Sequence, residues 1–180
     1  WHRTHNAAYD AEKWWQMSVN GLEAEVGYIN QNGLFIENIS DLPPDFESIV
    51  QTKVRQQLGT DSARGVIFKP DSSISKDIMN SPELQKFVKN NIQAIINGEK
   101  IQGSTNFGSN TNLANALGRA DFINTYLNEN GDIVTFVFDT YDFNENDTRP
   151  EVQIAYNVQK HGKLENYYTI SIIVIPKEVW

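Results

Sequence analysis

The most apolar strand signal of the chain runs from Ile133 to Phe138, and it limits the possible folds more than any other stretch. The dipeptide Asn130-Gly131 lies shortly before it, and this pair favours the tight turn of a β-hairpin. A second apolar run, Phe122–Leu127, lies on the other side of that turn. The sequence therefore predicts an antiparallel hairpin whose second strand continues to Tyr141.

Other apolar runs predict additional strands at 152–158 and 167–175, with His161-Gly162 in the turn between them. Pro176 is expected to end the last strand, because proline cannot donate a hydrogen bond to a neighbouring strand. A shorter apolar run at 66–68 predicts one more strand in the first half of the chain.

The first half of the chain is otherwise helical in pattern, with helices predicted over 7–19, 46–58 and 82–96. Asp45 and Ser81 are expected to cap the second and third of these helices, and a glycine follows the end of each. The Gly-, Ser- and Asn-rich residues 101–112 are interpreted as an ordered polar loop.

These elements predict an α+β fold in which N-terminal helices pack on a C-terminal antiparallel β-sheet, with a half-barrel as a variant. A chain of 180 residues is long enough for one domain with a proper core. We therefore expect a single domain over 1–180, mainly helical over 1–100 and antiparallel β over 101–180, where the candidate site lies.

The composition excludes several classes of protein. The net charge of −8 and the pI of about 4.8 argue against a nucleic-acid binder that neutralises phosphates. The sequence contains no cysteine, which excludes disulfides, thiol nucleophiles and cysteine-ligated zinc.

No stretch of the sequence is long and apolar enough to predict a transmembrane helix, and no signal-peptide pattern opens it. Because the chain begins at Trp1 rather than at methionine, we expect a processed product or a module of a longer protein.

A polar segment follows the apolar strand directly: Asp139-Thr140-Tyr141-Asp142-Phe143-Asn144, with Arg149 shortly after it. Side chains alternate along a strand, so Asp139 and Tyr141 are expected to share one face of the sheet. Asp142 can join them only if the strand ends or bulges at that point.

An aspartate late in an apolar strand needs a partner or a solvated pocket, because an unpaired buried carboxylate destabilises the fold. In a structural interpretation, Asp139 pairs with Arg149, the nearest cation in sequence, and locks the loop. In a chemical interpretation, Asp139 and Asp142 hold a divalent cation or activate water while Arg149 neutralises phosphate oxygens.

Two other kinds of site fit less well. Asp142, Asn144 and Asn146 are spaced like the start of an EF-hand loop, but Asp147 and Gln153 stand where that loop has Gly and Glu. A true EF-hand is therefore not expected, although looser calcium binding stays open. A serine hydrolase is disfavoured because the sequence has no Gly-x-Ser-x-Gly motif.

The residues Asp139-x-Tyr141-Asp142, followed by Arg149, resemble the signature of the colicin M family, whose pattern is Asp-x-Tyr-Asp with a His-Arg pair downstream. Leu117-Gly118-Arg119 resembles the family more loosely. The similarity covers roughly residues 113–176, and the helical first half has no match. Thr148 departs from the pattern, because the family usually carries histidine there and threonine is not a general base near neutral pH.

Members of the colicin M family are phosphodiesterases that cleave lipid II, the undecaprenyl-pyrophosphate-linked precursor of peptidoglycan. The implied site residues are, as catalytic groups, Asp139, Tyr141, Asp142, Arg149 and His161, and, as substrate-binding groups, Asn144 and Arg119. Asp139 and Asp142 are implied as metal ligands, and Arg149 as the group that holds the pyrophosphate. Either His161 or Asp142 would replace the missing histidine as general base, or the activity differs from that of the family.

The resemblance also implies a divalent cation, Mg²⁺ with Ca²⁺ as the alternative, and a lipid-linked substrate at a membrane surface. It implies a bacterial toxin that is secreted or delivered, acts in the periplasm or at the outer face of the target membrane, and is neutralised by an immunity protein. The alternatives are a non-catalytic module in which Asp139 and Arg149 form only a salt bridge, and a nuclease toxin, which the acidic composition disfavours.

Overall fold

The computed structural model describes residues 35–36, 44–59, 64–141 and 167–180. Its elements in chain order are β1 (Phe35–Ile36), α1 (Pro44–Leu58), β2 (Arg64–Phe68), α2 (Ser73–Met79), α3 (Pro82–Ile96), β3 (Ile101–Asn106), α4 (Thr111–Ala116), β4 (Arg119–Leu127), β5 (Ile133–Tyr141) and β6 (Tyr167–Ile175). The described strands form one open, six-stranded sheet in the order β1-β2-β6-β5-β4-β3. The predicted α+β class is confirmed; the strand predicted at 152–158 and the helix predicted at 7–19 lie outside the described residues.

The central hairpin of the sheet is built as the sequence predicts. The side chain of Asn128 accepts hydrogen bonds from the backbone N–H groups of Asn130 and Asp132, at 3.0 and 2.9 Å. Gly131 has a φ of 82°, a conformation that glycine adopts without steric cost. This turn joins β4 to β5, whose bounds agree with the predicted strand.

One strand pair corrects the prediction of a purely antiparallel sheet. β2 pairs with β6 in parallel, with Arg64 opposite Tyr167 and Phe68 opposite Ser171. Parallel neighbours need a crossover connection. Here three described helices (α2, α3 and α4) and three described strands (β3, β4 and β5) lie between β2 and β6 in the chain. The short run at 66–68 predicts a strand, but nothing in it specifies a partner so distant in sequence.

A β-bulge in β4 was not predicted. Asn124 has a φ of 48°, and the register shifts there against both neighbouring strands. The amide group of Gln102 on β3 holds the bulge, because it donates to the Asn124 side chain at 2.8 Å and accepts from the Asn124 N–H at 3.3 Å. The extra residue keeps Phe122 and Thr125 on the same face of the sheet.

Three helices, α2, α3 and α4, cover one side of the sheet, which we call the three-helix face. Its buried apolar core contains Phe68, Ile74, Ile78, Leu84, Val88, Ile95, Phe107, Leu113, Phe122, Ile133, Val137 and Ile173. Phe87 of α3 stacks on Phe122 with ring centroids 4.4 Å apart. The same ring covers Gly103 of β3, where a Cβ atom would lie 2.3 Å from it, so only glycine leaves room for this packing.

Helix α1 covers the opposite side of the sheet, which we call the α1 face. Its buried core contains Val50, Val54, Ile67, Ile123, Val134, Phe136, Phe138, Tyr168 and Ile170. The helix begins at Pro44, two residues before the predicted start, so Asp45 lies inside it and is not its cap. Proline is favoured in the first turn because the N–H group that it lacks has no partner there.

Two other predictions need correction. Residues 101–112 are not a loop throughout, because Ile101–Asn106 form β3 and Thr111 begins α4. β3 is an edge strand whose residues alternate between exposed and half-buried, so a polar composition suits it. Helix α2, capped by the Ser72 side chain, was missed because its seven residues are too short to establish a helical period.

Candidate functional site

Asp139 lies near the end of β5, which is flanked in the sheet by β4 and β6. Alternation along the strand places it on the three-helix face, together with the buried residues Ile133 and Val137. The residue is half-buried and has an interaction partner within the protein. Tyr141 is the last residue of β5, two positions beyond Asp139, as the sequence predicts.

Two hydroxyl groups lie beside Asp139 on the same face. Thr169 of β6 stands directly opposite Asp139, and Ser171 stands opposite Val137. Thr169 and Ser171 are 2% and 0% exposed, and neither hydroxyl oxygen has a hydrogen-bond partner. Sequence reasoning missed both residues, although their polar positions alternate with Ile170 and Ile172 in an otherwise apolar strand.

The other predicted site residues are placed as follows. Asp142, Asn144, Thr148, Arg149 and His161 lie outside the described residues. The proposed pairing of Asp139 with Arg149 therefore stays a prediction, as does the second metal ligand. Arg119 is the exposed first residue of β4 and shares a strand face with Asp121, so it lies on the α1 side of the sheet. The structure thus does not bring Arg119 and Asp139 onto one face.

The α1 face carries a polar network at the same end of the sheet. Asp121 of β4 pairs with Lys53 of α1 at 3.0 Å and accepts a longer hydrogen bond from Gln57 at 3.4 Å. Thr140 of β5 donates to the Gln57 side-chain oxygen at 2.8 Å. The network connects α1 to two strands, and its groups satisfy one another.

A separate carboxylate, Glu83 at the start of α3, holds the loop between β3 and α4. It accepts hydrogen bonds from the backbone N–H groups of Gly108 and Ser109, at 3.0 and 2.9 Å, and from the Ser109 hydroxyl at 2.7 Å. Partial burial acts to raise the pKa of Glu83, but the hydrogen bonds from Ser109 and Gly108 outweigh it and lower the pKa to about 2. All its acceptor contacts are internal, which indicates a structural role.

A cavity of ≈ 480 Å³ opens between α2, α3 and the C-terminal residues. Its lining residues are Met79, Asn80, Gln85, Val88, Lys89, Ile92, Ile175, Val179 and Trp180. The indole N–H of Trp180 donates to the Gly131 carbonyl oxygen at 3.1 Å and so fixes one wall. Ile175 pairs with Ile133, whereas Thr169 pairs with Asp139, so the cavity and Asp139 lie at opposite ends of the sheet.

In the described part of the chain, no three His, Asp or Glu side chains group as a complete set of metal ligands. The oxygen atoms around Asp139 nevertheless fit a hard cation, because Mg²⁺ and Ca²⁺ prefer carboxylate and other oxygen ligands. The observation that supports this fit is the buried, unpartnered hydroxyl of Thr169, the residue that pairs with Asp139 across the two strands.

None of the helices that the structure describes is both long and apolar enough to cross a membrane. Comparisons with protein-family models, with curated proteins and with solved structures found no match for this chain. The resemblance to the colicin M family therefore rests on the residues of the motif alone.

Proposed function

We propose that this chain is a bacterial toxin module that hydrolyses the lipid-linked pyrophosphate of lipid II. The observation that carries the proposal is the position of Asp139. It is a half-buried carboxylate late in a strand within a rigid sheet, and it lies beside a buried hydroxyl that has no partner. The motif Asp139-x-Tyr141-Asp142 with Arg149 supports the same proposal from the sequence.

In the proposed reaction, a water oxygen attacks phosphorus and the bond from phosphorus to the lipid oxygen breaks. The products are undecaprenol, which takes up the proton, and the pyrophosphorylated disaccharide-peptide. Asp139 and Asp142 would hold a divalent cation, which supplies Lewis-acid polarisation of a phosphoryl oxygen when bound. Arg149 would neutralise phosphate charge, and His161 or Asp142 would accept the proton from water.

The rigid strand supports this role for Asp139. β5 is paired along its length with β6, and the residues before Asp139 are buried on both faces. A carboxylate on such a strand has little conformational freedom, so it can hold a bound group in a fixed position. Asn144 stays a predicted substrate-binding residue in this proposal, whereas Arg119 is not assigned to the Asp139 site because it lies on the α1 side of the sheet.

The proposal is tested by incubating the chain with lipid II and Mg²⁺ and measuring released undecaprenol. Asp139→Asn is expected to lower the rate by about 10²-fold or more, because a positioned acid–base or metal-ligating group contributes at least that much. Asp121→Asn is the matched control, since Asp121 lies on the adjacent strand but on the α1 face. It is expected to keep most of the activity.

A wild-type chain that leaves lipid II intact in millimolar Mg²⁺ would show that the proposed activity is wrong. In that case the second candidate, a non-catalytic binding module, is favoured by one observation. Asp139 already has an interaction partner in the fold, as a purely structural ion pair would require.

A further inference from the structure

Among the described residues, three buried hydroxyl groups have no hydrogen-bond partner, and they belong to two elements that pack together. Thr169 and Ser171 lie on the three-helix face of β6, and Ser73 is the first residue of α2, which packs on β6. A buried hydroxyl without a partner destabilises the fold, because it has lost its hydrogen bonds to water and gained none in exchange.

The same face also contains two buried hydroxyl groups that do pair with each other. Thr125 of β4 and Thr135 of β5 are both fully buried, and their hydroxyl oxygens lie 2.6 Å apart. A threonine buried on this face therefore does not lack a partner as a general rule. The unpartnered groups on β6 need a specific explanation.

Thr169 and Ser171 differ in what stands opposite them. Thr169 stands opposite Asp139 in the strand pair, whereas Ser171 stands opposite the apolar residue Val137. Directly opposite residues in an antiparallel pair have Cβ atoms about 4.5–5.5 Å apart. The Thr169 hydroxyl and the Asp139 carboxylate can therefore contact one small group placed between them, and Ser171 has no such neighbour in its pair.

We propose that Thr169 is a further oxygen ligand of the cation held by Asp139. This inference rests on the proposed function, because that function requires the cation. A hydroxyl and a carboxylate are both oxygen ligands of the kind that a hard divalent cation prefers. The Thr169 hydroxyl then has a partner when the cation is bound, which accounts for its burial without a partner from the protein.

The test measures Mn²⁺ binding by electron paramagnetic resonance on the full chain, in parallel with lipid II hydrolysis. Thr169→Val removes the hydroxyl and keeps the shape, and it is expected to weaken Mn²⁺ binding by about tenfold or more, the loss that supporting groups of metal sites usually show. Thr169→Ser keeps a hydroxyl and should retain the affinity. Ser171→Ala, which removes an equally buried hydroxyl from the same strand, should leave it unchanged.

Two further measurements separate a ligand from a structural group. In EDTA, Thr169→Val should not lower the thermal unfolding midpoint, because the hydroxyl has no partner to lose. In an Asp139→Asn background, Thr169→Val should weaken Mn²⁺ binding no further, because the two side chains share one site.

Several outcomes overturn the inference. They are Mn²⁺ binding that is unchanged by Thr169→Val, an equal loss from Ser171→Ala, an unfolding midpoint that falls in EDTA, or wild-type Mn²⁺ binding that does not depend on Asp139. If Thr169→Val weakens Mn²⁺ binding but the wild type leaves lipid II intact, the inference holds and the proposed function fails. If the wild type hydrolyses lipid II and Thr169→Val changes neither rate nor Mn²⁺ affinity, the proposed function holds and the inference fails.

Discussion

At the same end of β5, the polar side chains on the two faces of the sheet differ in whether they have hydrogen-bond partners. On the α1 face, Asp121 pairs with Lys53, and Thr140 donates to Gln57. On the three-helix face, the neighbouring hydroxyl of Thr169 has no partner although it is more deeply buried. The more exposed of these groups are thus the ones with partners, which is the reverse of what stability alone would select.

This difference indicates where the chain is adapted for something other than stability. Polar groups that violate the usual pairing rule tend to lie at functional sites, because a ligand completes what the fold leaves open. The network at Lys53 and Asp121 attaches α1 to the sheet. The contrast therefore favours the Asp139 side over the Asp121 side as the functional face.

The largest predicted effect tests whether the two faces are equally well packed. Phe122 on the three-helix face and Phe138 on the α1 face are each 1% exposed. Phe122→Ala and Phe138→Ala are each expected to lower the free energy of unfolding by about 3–5 kcal/mol, from lost burial and the cavity left behind. Urea unfolding, with a check that the slope stays constant, measures both values.

If the losses of unfolding free energy in Phe122→Ala and Phe138→Ala agree within about 1 kcal/mol, the two faces differ in polar pairing and not in packing. If Phe138→Ala lowers the free energy of unfolding by less than about 1 kcal/mol, α1 does not cover a tightly packed core. The two faces could then not be compared as equally packed.

The next effect compares two threonines that lie on opposite faces. Thr140→Val removes a hydroxyl that donates to Gln57, so it is expected to lower the free energy of unfolding by about 0.5–1.5 kcal/mol. Thr169→Val removes an unpartnered hydroxyl and is expected to be neutral or stabilising by up to about 1 kcal/mol in EDTA. If matched urea titrations show that Thr140→Val destabilises the protein and Thr169→Val does not, the difference between the two faces is supported. If both variants lose the same free energy of unfolding, the two faces do not differ in this respect.

A smaller effect concerns the ion pair on the α1 face. Lys53 and Asp121 are both about one-quarter exposed, so solvent screens the pair. Asp121→Asn is expected to lower the free energy of unfolding by about 0.5–1 kcal/mol, and raising the salt concentration should reduce the difference. Glu129→Gln, in the exposed turn before β5, serves as the control for removing one negative charge. If both variants change stability alike, the effect is one of net charge.

The last predicted effect is a pH dependence at Glu83. Its pKa is lowered from the usual 4.5 to about 2 in the folded state, so the folded state prefers the ionised form. The stabilisation is complete above the unfolded pKa near 4.5 and is lost as the pH falls towards 2. The free energy of unfolding of the wild type, measured with urea, should therefore fall between pH 5 and about pH 2.5. The free energy of unfolding of Glu83→Gln should fall less over the same range.

Ser109→Ala, which removes one of the hydrogen bonds to Glu83, should fall between the two. A Glu83→Gln variant whose pH profile matches wild type would mean that other carboxyl groups cause the acid sensitivity.

Sequence patterns were sufficient wherever neighbouring residues decide the structure. Helix α3 was predictable because Ser81 caps it, Pro82 opens it and its apolar residues recur at helical spacing. The hairpin around Asn130-Gly131 was predictable for the same local reason. β3 and α2 were missed, because an edge strand tolerates polar residues and a seven-residue helix is too short to show a period.

The candidate site was only partly predictable. The sequence placed Asp139 at the end of an apolar strand and made it a candidate, because a carboxylate in that position needs a partner. It did not identify Thr169, since a threonine in a strand is ordinary until its neighbour and its burial are known. Nor did it show that Arg119 lies on the other side of the sheet from Asp139, which depends on where β4 begins.

The sequence by itself determined the α+β class, the bounds of β5, and the alternation that puts Asp139 and Val137 on one face. Only the tertiary structure decided that β2 joins β6 in parallel, that Asn124 forms a bulge, and that Thr169 stands opposite Asp139. The physical reason is the distance along the chain over which the deciding interactions act. Caps, turns and alternation depend on residues a few positions apart, whereas strand order and register follow from burying side chains on both faces across long separations in the chain.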